Sequence, residues 1–167
     1  MKLDDVRAIL QALNDAEARY LIVGGIAVVA HGYVRYTADL DLVLNLEHEN
    51  VIRAMTALEK IGYRPLVPVK GADFADAALR QSWIRDKNMI VFQMLNPDRA
   101  STRLDVFVEE PFSFVQEYAA ARWEEIEGVR SPVVQYSELI RLKRASGRPR
   151  DLIDVEQLES IAKSKHP

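Results

Sequence analysis

The sequence contains no cysteine, which excludes a disulfide framework, an iron–sulfur cluster and a zinc site built on thiolates. Long apolar runs are also missing: the longest, from Leu21 to Ala30, has 10 residues and includes two glycines. A membrane-spanning helix needs about 20 apolar residues. We therefore expect a chain without a membrane-spanning segment.

The N-terminus lacks the cationic and apolar stretches of a signal peptide and instead carries Asp4 and Asp5. The sequence thus predicts a cytoplasmic protein. Its 167 residues, 49% hydrophobic and 28% charged, are typical of one globular domain, which we expect to span residues 1–167.

The net charge of −3 argues against a general nucleic-acid-binding protein. The charge is uneven, because residues 141–167 carry seven basic and four acidic side chains. This basic segment would suit the anionic groups of a substrate. It is equally consistent with a solvated amphipathic helix, so composition leaves both interpretations open.

Hydrophobic periodicity predicts alternating helices and strands in the first two thirds of the chain. The expected elements are a helix over 3–13, a strand over 20–23, a short helix over 26–31, a strand over 39–45, a helix over 47–61, an edge strand over 63–67, a helical or irregular stretch over 73–87, and strands over 89–95 and 103–108. Turn-forming residues at 96–99 predict that the last two strands form a hairpin.

The remainder of the chain is predicted to be mainly helical. After Pro111 the pattern indicates a helix through Trp123, a break at Ser131 and Pro132, a strand over 133–136, a helix capped by Ser137 that ends at Gly147, and a last helix over 151–162. The predicted class is α+β: a small mixed sheet flanked by helices, with a core over about 1–110 and a helical C-terminal extension over about 111–167.

Asp39, Asp41 and Asp105 are the candidate metal ligands in this pattern. Residues two apart on a strand point to the same face about 6.5–7 Å apart, so Asp39 and Asp41 project together. If the strand of Asp105 is adjacent, three carboxylates converge, and their repulsion favours a bound cation. Oxygen ligands without histidine or cysteine suit Mg²⁺ or Mn²⁺, and pairs of such ions serve nucleotidyl transfer.

Gly24 and Gly25 end the first strand just before a helix, where bare backbone N–H groups bind phosphate well. A glycine pair here is also common in ordinary tight turns, and Asp-x-Asp is common on solvated strand faces. The order of the signals favours a functional site: strand, Gly-Gly, short helix, Asp-x-Asp strand, and a later strand aspartate of matching phase.

These residues resemble a known family. The segments Leu21-Ile22-Val23-Gly24-Gly25, His31-Gly32, Arg35-Tyr36-Thr37-Ala38-Asp39-Leu40-Asp41 and Leu104-Asp105-Val106 are similar to the minimal nucleotidyltransferase fold of the polymerase-β superfamily. The branch they resemble is that of the AbiEii/AbiGii-type abortive-infection toxin nucleotidyltransferases and their small relatives. A weaker similarity covers 139–155, where those proteins carry a lysine on a helix followed by Gly-Arg-x-x-Asp, here Lys143 and residues 147–151.

The resemblance implies roles for individual residues. Asp39, Asp41 and Asp105 would ligate the metal, with Asp105 also helping to activate the acceptor. Gly24 and Gly25 would face the triphosphate, although many superfamily members have serine at the second position.

Four further residues are candidates beside the metal and glycine motifs. Arg35 and Thr37, predicted to share the strand phase of Asp39, are candidate nucleotide ligands, as is Arg148. Lys143 is a candidate catalytic residue that would neutralise the triphosphate. For each cation, an ordinary ion pair or a solvated side chain is the alternative.

The expected activity is Mg²⁺- or Mn²⁺-dependent transfer of a nucleoside monophosphate from an NTP to a hydroxyl of RNA, tRNA, a protein or a small molecule. The resemblance also implies a toxin with an antitoxin partner as one setting for this activity. The alternative is a nucleotide-binding or toxin–antitoxin interaction module that keeps the fold with little turnover.

Overall fold

Helices and strands alternate along the chain, as the periodicity predicts. The computed structural model describes residues 1–99 and 102–165. The helices are α1 (Leu3–Asp15), α2 (Gly24–Ala30), α3 (His48–Lys60), α4 (Ala77–Lys87), α5 (Phe114–Ala119), α6 (Tyr136–Ser146) and α7 (Pro149–Lys165). The strands are β1 (Tyr20–Val23), β2 (Asp39–Leu44), β3 (Arg64–Pro65), β4 (Val91–Leu95), β5 (Arg103–Phe107), β6 (Arg122–Ile126) and β7 (Val129–Val133), and single 3₁₀ turns cover Gly71–Ala75 and Pro97–Arg99.

These strands form one mixed sheet in the order β3-β4-β5-β2-β1-β7-β6. β2 runs antiparallel to β1 and parallel to β5, and β7 runs parallel to β1. β4 and β5 pair antiparallel, which confirms the predicted hairpin, and β3 is an edge strand as expected. The α+β class with a mixed sheet and flanking helices is therefore confirmed.

β2 shows how local sequence positions the polar face of the sheet. Leu40, Leu42 and Leu44 are fully buried in the hydrophobic core, whereas Asp39 and Asp41 are half-buried on the opposite face. Because side chains alternate along a strand, burying the leucines turns both carboxylates toward the other side.

The predicted helix through Trp123 is wrong. The helix α5 ends at Ala119, and Trp123 lies on β6, which forms an antiparallel hairpin with β7. Glu127 and Gly128, at the turn, have φ angles of 51° and 78°, the positive values that a tight two-residue hairpin turn requires. Glutamate is an uncommon residue for this conformation, so the turn has little sequence signature.

The predicted strand over 133–136 is also misplaced, since β7 ends at Val133. Ser131 and Pro132 lie inside β7 rather than at a break, and the β7–β1 ladder is limited to the register pair Ile22–Val133. A short ladder tolerates the missing N–H of a proline beside it. Ser137 does not cap α6, which begins one residue earlier after Gln135.

The boundaries on either side of the remaining elements differ from the sequence expectations by a few residues. Gly24 and Gly25 form the first turn of α2 rather than a separate stop before it, and α7 begins at Pro149 instead of Asp151. Within residues 1–99 and 102–165, no helix combines the length and apolar character needed to cross a membrane.

Candidate active site

Asp41 and Asp105 occupy facing positions on the two central parallel strands. The β2–β5 register pairs Asp41 with Asp105 and Asp39 with Arg103. Partners in a ladder project to the same face, so the predicted convergence of Asp39, Asp41 and Asp105 on one face follows from the register. The β4–β5 register extends this row to Gln93, and the β1–β2 register extends it to Val23, next to Gly24.

Asp39 forms an ion pair with the neighbouring strand residue Arg103. Arg103 Nε donates to Asp39 Oδ1 at 2.9 Å, and both side chains are partly exposed. Among residues 1–99 and 102–165, no three His, Cys, Asp or Glu side chains stand at the mutual spacing of ligands around one metal ion. Asp41 and Asp105 thus face each other, while Asp39 would have to leave Arg103 to join them.

Asp41 is the most perturbed carboxyl group of the site. Burial and the charge of Asp105 raise its pKa from 3.8 to about 6, even though the backbone N–H of Gly25 donates to its Oδ2 at 3.4 Å. Burial likewise raises the pKa of Asp105, against the opposing effect of the Gln93 amide, whose Nε2 donates to Asp105 Oδ1 at 3.2 Å. Both carboxyl groups therefore resist ionisation unless positive charge arrives.

The two glycines allow close approach to this carboxylate row. A Cβ added at Gly24 would lie 1.9 Å from Asp41 Oδ2, and Gly24 has a φ of +61°. A Cβ at Gly25 would lie 2.2 Å from Thr37 Oγ1. Thr37 in turn donates from its hydroxyl to the carbonyl of Asp39 at 3.3 Å. Glycine at 24 and 25 is thus required by the packing of Asp41 and Thr37.

A cavity of about 530 Å³ opens beside Asp41 and Gly24. Lys143 and Arg148 line it, and their contact with a triphosphate stays a prediction. Lys143 Nζ contacts Asp151 Oδ1 and lies 3.0 Å from Asp154 Oδ2. The remaining wall is largely apolar and includes Ile90, Phe107, Leu139, Leu142 and Ala145.

Arg35 occupies a different environment from the one predicted. The segment 33–37 is not part of a strand, so Arg35 and Thr37 do not share the strand phase of Asp39. Arg35 binds Asp154 with both Nε and Nη2, at 2.6 and 2.7 Å, and donates from Nη1 to the Tyr36 carbonyl. Its guanidinium is therefore engaged with the protein itself, and its predicted contact with a phosphate stays a prediction that would require breaking these bonds.

Asp154 is the centre of this ion-pair cluster. Its side chain is only 1% exposed. Burial by itself would raise the pKa of Asp154, but hydrogen bonds from Arg35 and Lys143 hold it below its ordinary value. A buried carboxylate with two cationic partners is the charge-compensated arrangement that burial demands.

Sequence reasoning missed three residues of the site: Gln93, Arg103 and Asp154. Gln93 is the polar residue of an otherwise apolar strand, Val91–Leu95, and this interruption is a signal that was available. Arg103 lies in the strand predicted over 103–108, and Asp154 lies in the helix predicted over 151–162. Their roles depend on contacts between distant segments, which no local pattern reveals.

Comparison with known proteins identifies the fold. No family model matches the chain, and no curated protein matches its sequence. Among solved structures, the chain is similar to the lincosamide antibiotic adenylyltransferase LnuA bound to lincomycin, with 17% identity, a TM-score of 0.62, and coverage of 95% of this chain and 96% of that one. It is also similar to ANT(2″)-Ia in complex with adenylyl-2″-tobramycin, with 15% identity, a TM-score of 0.58, and coverage of 98% and 91%.

A third similar structure is an antigenic nucleotidyltransferase-like protein from Paracoccidioides brasiliensis, with 20% identity, a TM-score of 0.59, and coverage of 95% of this chain and 76% of that one. At these identities the likeness concerns the fold. The chain therefore has a nucleotidyltransferase fold, as the resemblance of its motifs implies, and these neighbours do not single out the AbiEii-type branch.

Proposed function

We propose that the protein is a metal-dependent nucleotidyltransferase, which transfers a nucleoside monophosphate from an NTP to a hydroxyl group. The observation that carries the proposal is the facing pair Asp41 and Asp105, because Asp41 also lines a cavity whose wall includes Lys143 and Arg148. The nucleotidyltransferase fold supports it.

The donor set fits a hard divalent cation. Asp41 and Asp105 are oxygen donors whose pKa values are raised by burial, with their mutual repulsion adding to the rise for Asp41, and Asp39 lies two residues from Asp41 on the same strand face. Mg²⁺ or Mn²⁺ held by these carboxylates would offset the charge of the triphosphate and polarise its α-phosphate. Reaching this ligand set requires Asp39 to exchange Arg103 for the ion.

The chain's own groups account for the other requirements of the reaction. The Asp105 carboxylate would accept the proton of the acceptor hydroxyl, whose oxygen bonds to the α-phosphorus as the bond to pyrophosphate breaks. Lys143 and Arg148 would neutralise phosphate oxygens at the cavity wall. Gly24 lines the cavity and would present its backbone to the phosphates there.

A small hydroxylated molecule is the acceptor that the cavity favours. Its volume, about 530 Å³, lies within the roughly 300–1,000 Å³ of small-molecule sites. Its apolar wall includes Ile90, Phe107 and Leu142, and a mostly apolar lining with a few polar groups is typical of such sites. Two similar structures hold lincomycin and adenylyl-tobramycin, which makes antibiotics suitable first compounds to assay.

Transfer of label from each α-labelled NTP, with Mg²⁺ or Mn²⁺, to a panel of small hydroxyl compounds, tRNA and cell extract tests the proposal. We expect a labelled product with the wild-type protein and none with Asp41→Asn. Asp86→Asn, at an exposed aspartate paired with Arg85, is the matched control and should retain activity. Absence of transfer from all four NTPs would contradict the proposal.

The binding-module alternative gives a different result in the same preparation. Calorimetry would then detect nucleotide binding without release of pyrophosphate. The toxin role and the antitoxin partner implied by the resemblance stay predictions. They are tested by induced expression in a bacterial host, where growth arrest by the wild type and normal growth with Asp41→Asn would support a toxin.

A further inference from the structure

Lys143 is a charged residue held in a nearly buried position at the cavity wall. Its side chain is 10% exposed, and its Nζ contacts Asp151 Oδ1 and lies 3.0 Å from Asp154 Oδ2. A lysine side chain has a flexible four-carbon stem, so its ammonium group points where its partners hold it. The two aspartates on α7 therefore determine where this ammonium group lies.

Of these two aspartates, Asp154 has the more rigid anchor. Arg35 binds both of its carboxylate oxygens at 2.6 and 2.7 Å, and such a two-bond pair fixes orientation as well as distance. Arg35 itself belongs to the segment between α2 and β2, and its Nη1 lies 3.4 Å from where a Cβ of Gly25 would be. Asp151, in contrast, is held by Lys143 and the Ser146 hydroxyl.

We propose that Asp154 is a positioning residue, which holds the Lys143 ammonium group at the cavity beside Asp41 and thereby determines how well the site binds a triphosphate. The proposal rests on the function proposed above. Asp154 does not line the cavity, so it acts on the nucleotide through Lys143. Arg35 supports it from the segment that leads into Asp39.

The competing explanation is that the ion pairs of Asp154 with Arg35 and Lys143 only stabilise the packing of α7 against the rest of the fold. If the role is only structural, replacing Asp154 lowers the stability of the fold and leaves the nucleotide preference of the folded protein unchanged. A positioning role changes that preference, because an ammonium group held at the cavity wall offsets more charge on a triphosphate than on a monophosphate. The ratio of triphosphate to monophosphate affinity therefore separates the two.

The experiment is a double-mutant cycle with Asp154→Asn and Lys143→Met. Calorimetry measures the binding of non-hydrolysable α,β-methylene triphosphates and of the matching monophosphates, with Mg²⁺, to proteins shown to be folded by circular dichroism. We expect each single variant to lower the affinity ratio by roughly tenfold, about 1.4 kcal/mol. We expect the double variant to match Lys143→Met alone, because Asp154 has no effect once Lys143 is gone.

Glu159→Gln is the matched control, since Glu159 on α7 pairs with Arg144 on α6 away from the cavity; its affinity ratio should equal the wild-type value. If Asp154→Asn does not fold, Arg35→Lys replaces it: the charge stays, the two-bond contact is lost, and the ratio should fall in the same direction by a smaller factor. An unchanged or increased ratio, or equal effects of Asp154→Asn with and without Lys143, would overturn the proposal. Failure of the wild type to bind any triphosphate would instead overturn the proposed function.

Discussion

Asp41 and Asp105 lie directly opposite each other on the neighbouring parallel strands β2 and β5. Neighbouring strands are about 4.8 Å apart, so the two carboxyl groups extend from adjacent positions on one face. Burial raises both pKa values, and the repulsion between the groups raises that of Asp41 further. Protonation or a bound cation relieves this repulsion.

The pH dependence of stability follows from the Asp41 shift. A carboxyl group whose pKa is about 6 in the folded protein and 3.8 otherwise binds its proton more tightly when folded. The free energy of unfolding of the metal-free protein therefore falls as the pH rises from about 4 to about 6. Asp41→Asn should reduce this fall, so that the metal-free variant unfolds at a higher temperature than the wild type at pH 7 and at a similar one at pH 4.

Thermal unfolding in EDTA at several pH values, followed by circular dichroism, measures this effect. Asp86→Asn serves as the control and should follow the wild-type pH dependence. A large loss of stability of Asp41→Asn at pH 7 would instead assign Asp41 a structural role.

Divalent metal should stabilise the wild-type fold through the same carboxylates. Ligand at 100 times its dissociation constant adds about 2.7 kcal/mol to the free energy of unfolding. We expect Mn²⁺ or Mg²⁺ to raise the melting temperature of the wild type and to raise that of Asp41→Asn or Asp105→Asn much less. Equal increases in all three proteins would place metal binding elsewhere.

Gly24→Ala should disturb the site through a steric clash. Gly147→Ala serves as the control, because it has the same unfavourable φ without the clash. Both glycines have similar φ angles, +61° and +62°, but a Cβ at Gly24 would lie 1.9 Å from Asp41 Oδ2, whereas a Cβ at Gly147 would meet nothing within 4 Å. Gly147→Ala should lose about 1 kcal/mol from its positive φ alone. Gly24→Ala should lose clearly more and also lose transfer activity. Equal losses of stability in the two variants would show that Asp41 moves aside without penalty.

Gln93→Met should lower the rate of transfer while leaving NTP affinity close to the wild-type value. The Gln93 amide donates to both oxygens of Asp105, at 3.2 and 3.5 Å, and methionine keeps the length of the side chain without the donor. Losing one such orienting bond should reduce kcat by about tenfold or more, since a bond to a charged group contributes about 1.5–3 kcal/mol. Steady-state kinetics checks this, with the exposed Gln116→Met as the control; a selective rise in the KM for NTP would argue against the assigned role.

Local pattern predicted the elements that carry the site. The alternation of Leu40 and Leu42 with Asp39 and Asp41 placed both carboxylates on one face. The glycines after β1 indicated a position where the backbone packs closely against other groups. Gly147 was correctly expected to end a helix, and it does so with a φ of +62°. The β6–β7 hairpin was missed because its turn, Glu127-Gly128, has glutamate at the first position, where asparagine, aspartate or glycine is usual.

Sequence alone determined which side chains could meet, through the period of two in β2 and β5 and the backbone freedom of Gly24 and Gly25. Only the tertiary structure decided which ones do: the strand order that sets Asp41 against Asp105, the pairing of Asp39 with Arg103, and the contact of Arg35 with Asp154, 119 residues away. The physical reason is that periodicity and turn chemistry act over a few neighbouring residues. Strand register and the pairing of buried charges depend on how the whole core packs, so distant aspartates and arginines find their partners only when it has formed.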